Sequence, residues 1–495
     1  MNKQYFQDIV KGRYGRRASY ADEEEISENN IVEVLGDHIG EFNTNRQQAK
    51  YLWDYKNGDQ PILYREKLVR DDIVNKVVEN HAYEVVQFGV SQTYGEPLQY
   101  VSRKKDDGIN EDVDKLNDYM HDAFKPQRNV SQGEWKSATG TSFLALQRTG
   151  KKEKPFRIAV PTPMNTFVIY SSYTGEPLLA VQELKDKNRQ HYYLCFSENM
   201  EFKIQNGKVI DRKLHAFGGI PIVEVPNNQD RLSDVEVIIT LLDSVNTMQS
   251  NRMDGIEQFV QSWIKFVNCE VDEAEFAKMK MLGALVVKSN NGSENKADVD
   301  VMSQELNQSE SQIAKDDLWE NAQNIIAMPT REYGSTGGDT QGAVEIRAGW
   351  DFAKQRAKLK DSYVIEAEKR FAEIALNILR VEGLGLNITT SDFDVNIPHS
   401  PQDNLVVKCQ ALQYLLQCGI NPLIAVKTSG LWSDSEKVYL LSKPYFDVLY
   451  KTIDEKIKEE NLQAEEEKAK ELLNNYQGEK IEKENDDKQN QEVTE

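Results

Sequence analysis

Residues 218–263 read GGIPIVEVPNNQDRLSDVEVIITLLDSVNTMQSNRMDGIEQFVQSW, and the fold class turns on them. Two glycines lead into a short apolar strand, Ile220–Val225, which the polar run Pro226–Asp230 closes. A long helix then starts at Ser233, because Glu236 three residues on completes a capping box that satisfies two otherwise orphaned backbone donors. Val235, Ile238, Leu242, Val245, Ile256, Val260 and Trp263 keep one apolar stripe. It predicts a helix reaching about Phe266, ~45–50 Å long. Polar Asn246, Gln249, Ser250 and Asn251 interrupt it, as a water-lined channel face, a subunit contact or simply the exposed side of an amphipathic helix would.

Toward the C-terminus, a second helix fits Ser309–Met328 and stops at Pro329. Between the two helices lies a compact tip with a strand at Gly283–Lys288 and a turn at Asn290-Asn291-Gly292. Residues 330–342, TREYGSTGGDTQG, hold four glycines among polar side chains and can neither extend a helix nor fill a core, so an exposed loop is predicted. Ile346, Trp350, Ala353, Ala357, Val364, Ala367, Phe371, Ile374 and Ile378 then keep a helical stripe to about Val381. A helix of that length, ~60 Å, suggests an assembly. Shorter helices fit Gln402–Gln417 and Asp434–Leu441. The last stretch, residues 451–495, has 15 acidic against 8 basic side chains and reads as an acidic helix fading into a tail.

Toward the N-terminus the periodicity changes to two. Ser142–Arg148, Phe156–Val160, Thr166–Tyr170, Leu178–Leu184 and Tyr192–Phe196 predict a β-rich region. Within it, Glu201–Asp211 (EFKIQNGKVID) predicts a hairpin whose Asn206-Gly207 supplies the two positive-φ residues of a type I′ turn. Earlier, Lys67–Ser91 has helical spacing broken at Tyr94-Gly95-Glu96-Pro97, and Glu111–Phe124 is a further helix. Residues 1–45 mix Lys11, Arg13, Arg16 and Arg17 with an acidic run and show little apolar periodicity, so an arm is expected there, partly disordered or bound to a neighbour.

A chain of 495 residues is too long for one ordinary core and predicts roughly two to four folding units. Its formal net charge of −21 excludes a broad basic surface that wraps DNA by neutralising phosphates. Cys195, Cys269, Cys409 and Cys418 lie far apart, and the six histidines are scattered, so neither a disulfide framework nor a zinc site is indicated. An opening of MNKQYFQDIVKGRYGRR and the lack of any run of ~18 apolar residues give no support for export or membrane spanning. The expected origin is cytoplasmic.

Five segments in one order resemble the portal proteins of tailed phages, more particularly those of siphophages with Gram-positive hosts. They are Tyr94-Gly95-Glu96-Pro97; the run Gly218–Val225 with Asn227-Asn228 and Asp234; the helix containing Leu242-Asp243-Ser244-Val245-Asn246 and Ser250; the glycine-rich loop entering a long helix; and Phe393-Asp394-Val395-Asn396-Ile397-Pro398. The resemblance covers roughly residues 65–450 and implies an α+β, mainly helical portal fold assembled as a twelve-subunit ring. Its expected parts are an N-terminal arm (1–45), a β-rich wing (46–232 with 385–400), stem helices (233–262 and 306–328), a small α/β clip (263–305), a tunnel loop (329–341), a very long wing helix (342–384), a helical crown (401–455) and an acidic tail (456–495).

The resemblance further implies a channel for double-stranded DNA at one capsid vertex of the virion, assembled in the host cytoplasm. Its partners would be terminase, the major capsid and scaffolding proteins, and the head-completion proteins; it implies no enzyme activity, cofactor or metal. The DNA-facing loop would comprise Thr330, Arg331, Glu332, Tyr333, Gly334, Ser335, Thr336, Gly337, Gly338, Asp339, Thr340 and Gln341. An acidic wall suits this task, since each Lys or Arg contact to phosphate would deepen a trap for DNA that has to slide.

The loop is not a phosphate-binding loop, having no lysine and no GxxxxGK[ST], but an ordinary surface linker is the bland alternative. Lys278, Lys280, Lys288 and Lys315 could touch passing phosphates, although lysines of this kind are usually just solvated. Trp319 and Trp350 are expected to be packing anchors. Asp243 and Asp254 are ~16 Å apart along a helix, too far for paired acid–base work, and Asp316-Asp317 and Glu23-Glu24-Glu25 are solvated runs rather than a two-metal site. A scaffolding protein whose helices bundle without a channel is the competing function.

Overall fold

The computed structural model describes residues 15–67, 71–104, 106–260, 263–267, 298–302, 308–330, 349–398, 405–432, 435–449 and 470. The chain divides into two units, Met1–Ser400 and Pro401–Glu495. The first contains β1 (Ser19–Ala21), α1 (Ile31–Lys56), α2 (His81–Tyr94), β2 (Gln99–Ser102), α3 (Asp107–Asp122) and α4 (Lys125–Thr139). Then come β3 (Thr141–Lys151), β4 (Lys154–Ala159), β5 (Thr166–Ser171), β6 (Pro177–Lys185), β7 (His191–Phe196), β8 (Met200–Gln205), β9 (Lys208–Leu214) and β10 (Ile222–Pro226). After them follow α5 (Ile239–Val260), β11 (Trp263–Val267), β12 (Asp298–Met302), α6 (Gln308–Ile326), α7 (Trp350–Val381) and β13 (Phe393–Asn396). The second unit contains α8 (Leu405–Gln417), α9 (Pro422–Ser429) and α10 (Ser435–Leu449). The fold is mixed α/β, with small sheets among long helices.

Six strands form one sheet in the order β1-β5-β6-β7-β8-β9, and three form another, β10-β3-β4. The β8–β9 turn places Asn206 at φ 52 and Gly207 at φ 70, the two left-handed residues that a type I′ turn requires. β2 and β13 pair antiparallel, joining the chain just after Tyr94–Pro97 to the Phe393–Pro398 run. Helix α7 carries Val364, Phe371, Ala372, Ala375 and Leu379 on one buried stripe, which meets Leu144, Leu146, Ile158, Val223 and Val225 of the three-stranded sheet. A second core gathers Tyr51, Leu52 and Tyr55 of α1, Val85 and Val86 of α2, Ile239 and Leu242 at the start of α5, and Ile326 and Met328 at the end of α6.

Several expectations need correction. Residues 31–56 are a 26-residue helix, not part of an arm. Its first half puts Ile31, Val34, Leu35 and Phe42 under the six-stranded sheet, and its second half enters the core around Tyr55. Gly36, Gly40, Asn43, Thr44 and Asn45 dilute the stripe, which is why its period is faint. The helix expected over Lys67–Ser91 begins only at His81; residues 71–80 run without helix, and their backbone donors are taken by side chains of α5. Helix α4 was not anticipated, because it is buried through Asn129, Gln132, Gly133, Lys136 and Ser137 instead of an apolar stripe. Helix α5 ends at Val260, and Trp263 lies in a strand paired with Met302 instead of in the same helix. In the second unit, α9 was not anticipated and α10 continues past Leu441 to Leu449.

The expected strand at Gly283–Lys288, the turn at Asn290-Asn291-Gly292, residues 331–348 and the acidic stretch after residue 450, except residue 470, lie outside the described residues.

Candidate channel-bearing helices and their supports

Of the four polar residues that interrupt α5, Asn246 and Ser250 face the chain at residues 75–79, whereas Gln249 accepts from Arg252 of the same helix and Asn251 is exposed and accepts from Arg65. Asn246 Oδ1 accepts from the Glu79 N–H at 2.8 Å, Ser250 Oγ from the Val77 N–H at 3.0 Å, and Asp254 Oδ1 from the Asn75 N–H at 2.7 Å. All three side chains are buried. The register is geometric: four helical residues rise ~6.0 Å, and two extended residues ~6.6 Å. Side chains at i, i+4 and i+8 of the helix therefore meet every second N–H of the strap at residues 75–79. Asp254 also holds Lys67 Nζ at 2.5 Å, and these bonds bring its carboxyl below the ordinary carboxylate range although burial alone would raise it. At the upper end, Asn246 Nδ2 donates to Gln60, whose own amide donates to Tyr55 O at 3.1 Å and Asn80 Oδ1 at 3.0 Å. One polar network thus ties the end of α1, the strap and α5.

The start of α5 is anchored by the stretch from Gly218 to Glu236. Gly218, at φ 65, lets the chain lie against α7, where Asn377 Nδ2 donates to its carbonyl at 3.1 Å. Any Cβ at Gly218 would meet the Asn377 side chain. Asn227 Nδ2 bonds both Leu232 O (2.9 Å) and Asp234 Oδ1 (3.0 Å), and Asp234 also takes Ser137 Oγ at 2.8 Å and pairs with Lys360 of α7. Burial by itself would raise the Asp234 pKa, but Lys360 and these donors outweigh it and hold the carboxyl below its usual range. Ser233 and Glu236 face each other as the sequence predicts, with Ser233 N–H donating to Glu236 Oε2 at 3.3 Å, but Ser233 Oγ takes the Val235 N–H at 3.1 Å and a single 3-10 turn, Glu236–Ile238, follows, so α5 begins at Ile239 and not at Ser233. Glu236 also holds Arg16 at 2.6 Å in a buried pair, so the N-terminal residues are stitched to this helix start.

The glycine-rich loop spans from Thr330 to Gln341, and of its residues only Thr330 is described. The described residues nearest to it on either side, up to Thr330 and from Gly349, make specific contacts. Helix α6 closes with a Schellman pair, Ala327 N–H to Asn324 O (3.2 Å) and Met328 N–H to Gln323 O (2.9 Å), with Ala327 left-handed at φ 56. Met328 is buried, Arg356 of α7 donates to the Ile325 carbonyl, and the Trp350 ring lies 6.5 Å from Phe88. Trp319 stacks on His81 at 3.8 Å. Both tryptophans therefore pack within the chain.

Of the four lysines, Lys278, Lys280 and Lys288 lie outside the described residues, and Lys315 Nζ pairs with Glu79 at 2.9 and 3.2 Å. Hydrogen bonding from His81, then from Lys315, lowers the Glu79 pKa to about 2 against the opposing effect of burial. Asp243 serves a separate purpose from Asp254, accepting from Tyr55 OH at 2.9 Å. Among the described residues no group of three or more His, Cys, Asp or Glu could hold a metal ion, and no helix is long and apolar enough to cross a membrane.

Comparison with known families matches residues 36–411 to the family described as "Phage portal protein, SPP1 Gp6-like". The chain belongs to the phage portal protein family. The match runs from α1 into α8 and includes the whole α5–α7 region of this portal protein. Comparison with curated protein sequences gives no match. Among solved structures, this portal protein is similar to a chain of "Virion of native gene transfer agent (GTA) particle", at 12% identity and a TM-score of 0.43, covering 80% of this chain and 93% of that one. It is also similar to a chain of "Neck of empty GTA particle computed with C6 symmetry", at 10% identity and a TM-score of 0.40, covering 69% and 90% respectively. A chain of "Neck of native GTA particle computed with C12 symmetry" gives 11%, 0.39, 71% and 89%. These likenesses are remote, and the family assignment rests on the matched sequence.

Proposed function

We propose that this portal protein assembles as a ring of twelve copies at one capsid vertex of a siphophage of Gram-positive hosts, and that double-stranded DNA enters and leaves through its centre. In this reading α5 and α6 are the stem, the region around β11 and β12 is the clip that docks the terminase motor, and Thr330–Gln341 is the tunnel loop. Residues 46–232 with 385–400, together with α7, form the wing, and the second unit forms the crown. The ring starts procapsid assembly with the capsid and scaffolding proteins, and later receives head-completion proteins. It performs no covalent chemistry; the separate terminase supplies the energy, and ATP hydrolysis by the purified protein alone would remove the passive channel.

The observation that carries this reading is the contrast at the end of α6. A segment with four glycines in thirteen residues, 330–342, leaves a helix whose last turn is pinned by Met328 and by Arg356. A rigid mount with a conformationally permissive tip suits contact with a moving helical substrate. The acidic balance of −21 favours sliding over capture. Trimming Gly334–Asp339 tests it: rings should still form, but DNA packaging or retention should fall. Normal packaging with the trimmed loop would take the loop out of the mechanism.

A further inference from the structure

A cleft of about 580 Å³ opens between the six-stranded sheet, the Gly218–Glu224 run, the loop at residues 226–231 and α7. That volume lies within the ~300–1,000 Å³ of typical ligand clefts. Tyr20, Tyr170 and Tyr363 give it flat, partly apolar walls, and the bare backbone of Gly218 and Gly219 leaves one side open to close approach. Its charge is one-sided, with Glu176, Glu198, Glu224, Glu366 and Glu373 against Arg231 and Arg370. The arginines are committed: Arg231 is paired to Glu224 at 2.7 Å, and Arg370 to Glu366 at 3.1 Å and to Glu176. Glu198 and Glu373 are exposed and make no hydrogen bond or ion pair among the described residues.

The chain carries a segment of matching chemistry beside this cleft. Residues 1–14, MNKQYFQDIVKGRY, hold Lys3, Lys11 and Arg13 against the single acid Asp8, with Tyr5, Phe6, Ile9 and Val10 among them. The described chain begins at Gly15, whose N–H donates to Glu236 at 3.1 Å and whose Cβ position is closed off by the Asp230 carbonyl. Asp230 stands between Gln229 and Arg231, two residues that line the cleft, so the segment starts at the loop forming one wall. Fourteen residues can reach ~45 Å when extended, and a tether this short gives an effective concentration of order millimolar. From this complementarity we propose that the cleft is the docking site of the chain's own basic N-terminal segment, with Lys11 or Arg13 against Glu198 and Glu373 and the apolar residues against the tyrosines. This interaction is independent of the ring and the channel.

Hydrogen–deuterium exchange of residues 5–14 in the full-length protein tests it. The segment should exchange at least about tenfold more slowly than the free peptide of residues 1–14. The protection should vanish at about 1 M NaCl and in Glu198→Lys/Glu373→Lys, whose exposed positions leave the core intact, and it should return when Lys11→Glu/Arg13→Glu is added. Exchange at the free-peptide rate, or protection indifferent to the cleft charges, would overturn the proposal. Carbodiimide crosslinking of protein assembled from mixed light and ¹⁵N-labelled chains separates the sources: Lys11 joined to Glu198 or Glu373 only in all-light or all-heavy pairs supports docking within one chain, and mixed light–heavy pairs would show that a neighbouring copy supplies the segment and overturn the assignment.

Discussion

Replacing Asn246 by alanine attacks the ladder at the rung that also joins it to Gln60. The side chain is fully buried, accepts from the Glu79 N–H at 2.8 Å and donates to Gln60 Oε1. Its removal leaves one backbone donor and one amide oxygen unsatisfied, each costing ~1–3 kcal/mol when buried. Water entering the space left by the side chain would recover part of that, so about 3 kcal/mol is expected for opening of the strap. At ~1.4 kcal/mol per decade, this is roughly a hundredfold change in an opening equilibrium. Residue-level amide exchange at pH 7 should show the Glu79, Val77 and Asn75 amides exchanging about two decades faster in Asn246→Ala, with α7 unaffected. Thr247, exposed and bonded to the Asp243 carbonyl of its own helix, is the control, and Thr247→Ala should change these rates less than about threefold. Less than a threefold effect from Asn246→Ala would refute the claim that this polar face holds the strap.

Two further outcomes follow from the same region. Ala327 sits left-handed at φ 56 in the cap of α6, so Ala327→Gly should keep or raise stability whereas Ala327→Val should cost at least about 2 kcal/mol, read from urea midpoints. Burial pushes the Asp243 carboxyl up to about 6 despite the bond from Tyr55. Because the folded state then holds its proton more tightly than the unfolded one, stability falls as pH rises from about 4 to about 6. Asp243→Asn should therefore gain roughly 1–2 kcal/mol at pH 7 and nothing below pH 4.

What could be read from the sequence was chemistry confined to a few neighbouring residues. Asn206-Gly207 and Ser233 with Glu236 declare their structures because the partners are one to three residues apart. The stripe of α7 was visible because its apolar face is buried along most of its length. Residues 71–80 look helical in sequence because Ile73 and Val77 fall at helical spacing by coincidence. The deciding partners, Asn246, Ser250 and Asp254, lie more than 160 residues away. Helix α4 escaped notice because polar side chains fill its buried face, with Lys125 paired to Glu368 at 2.7 Å and Gln132 to Ser142 at 3.0 Å. At the candidate site, Asn246 and Ser250 look like Gln249 and Asn251 in sequence, and only the strap shows which of them hold residues 77 and 79. The pairing of Lys315 with Glu79 was equally invisible.

The central claim is a ring with an open channel, and rotational analysis of end-on views of the purified protein by electron microscopy tests it most directly. The account predicts closed rings of twelve subunits with a central opening wide enough for a duplex of ~20 Å. Rods, shells, or subunits that stay monomeric at high concentration would contradict it.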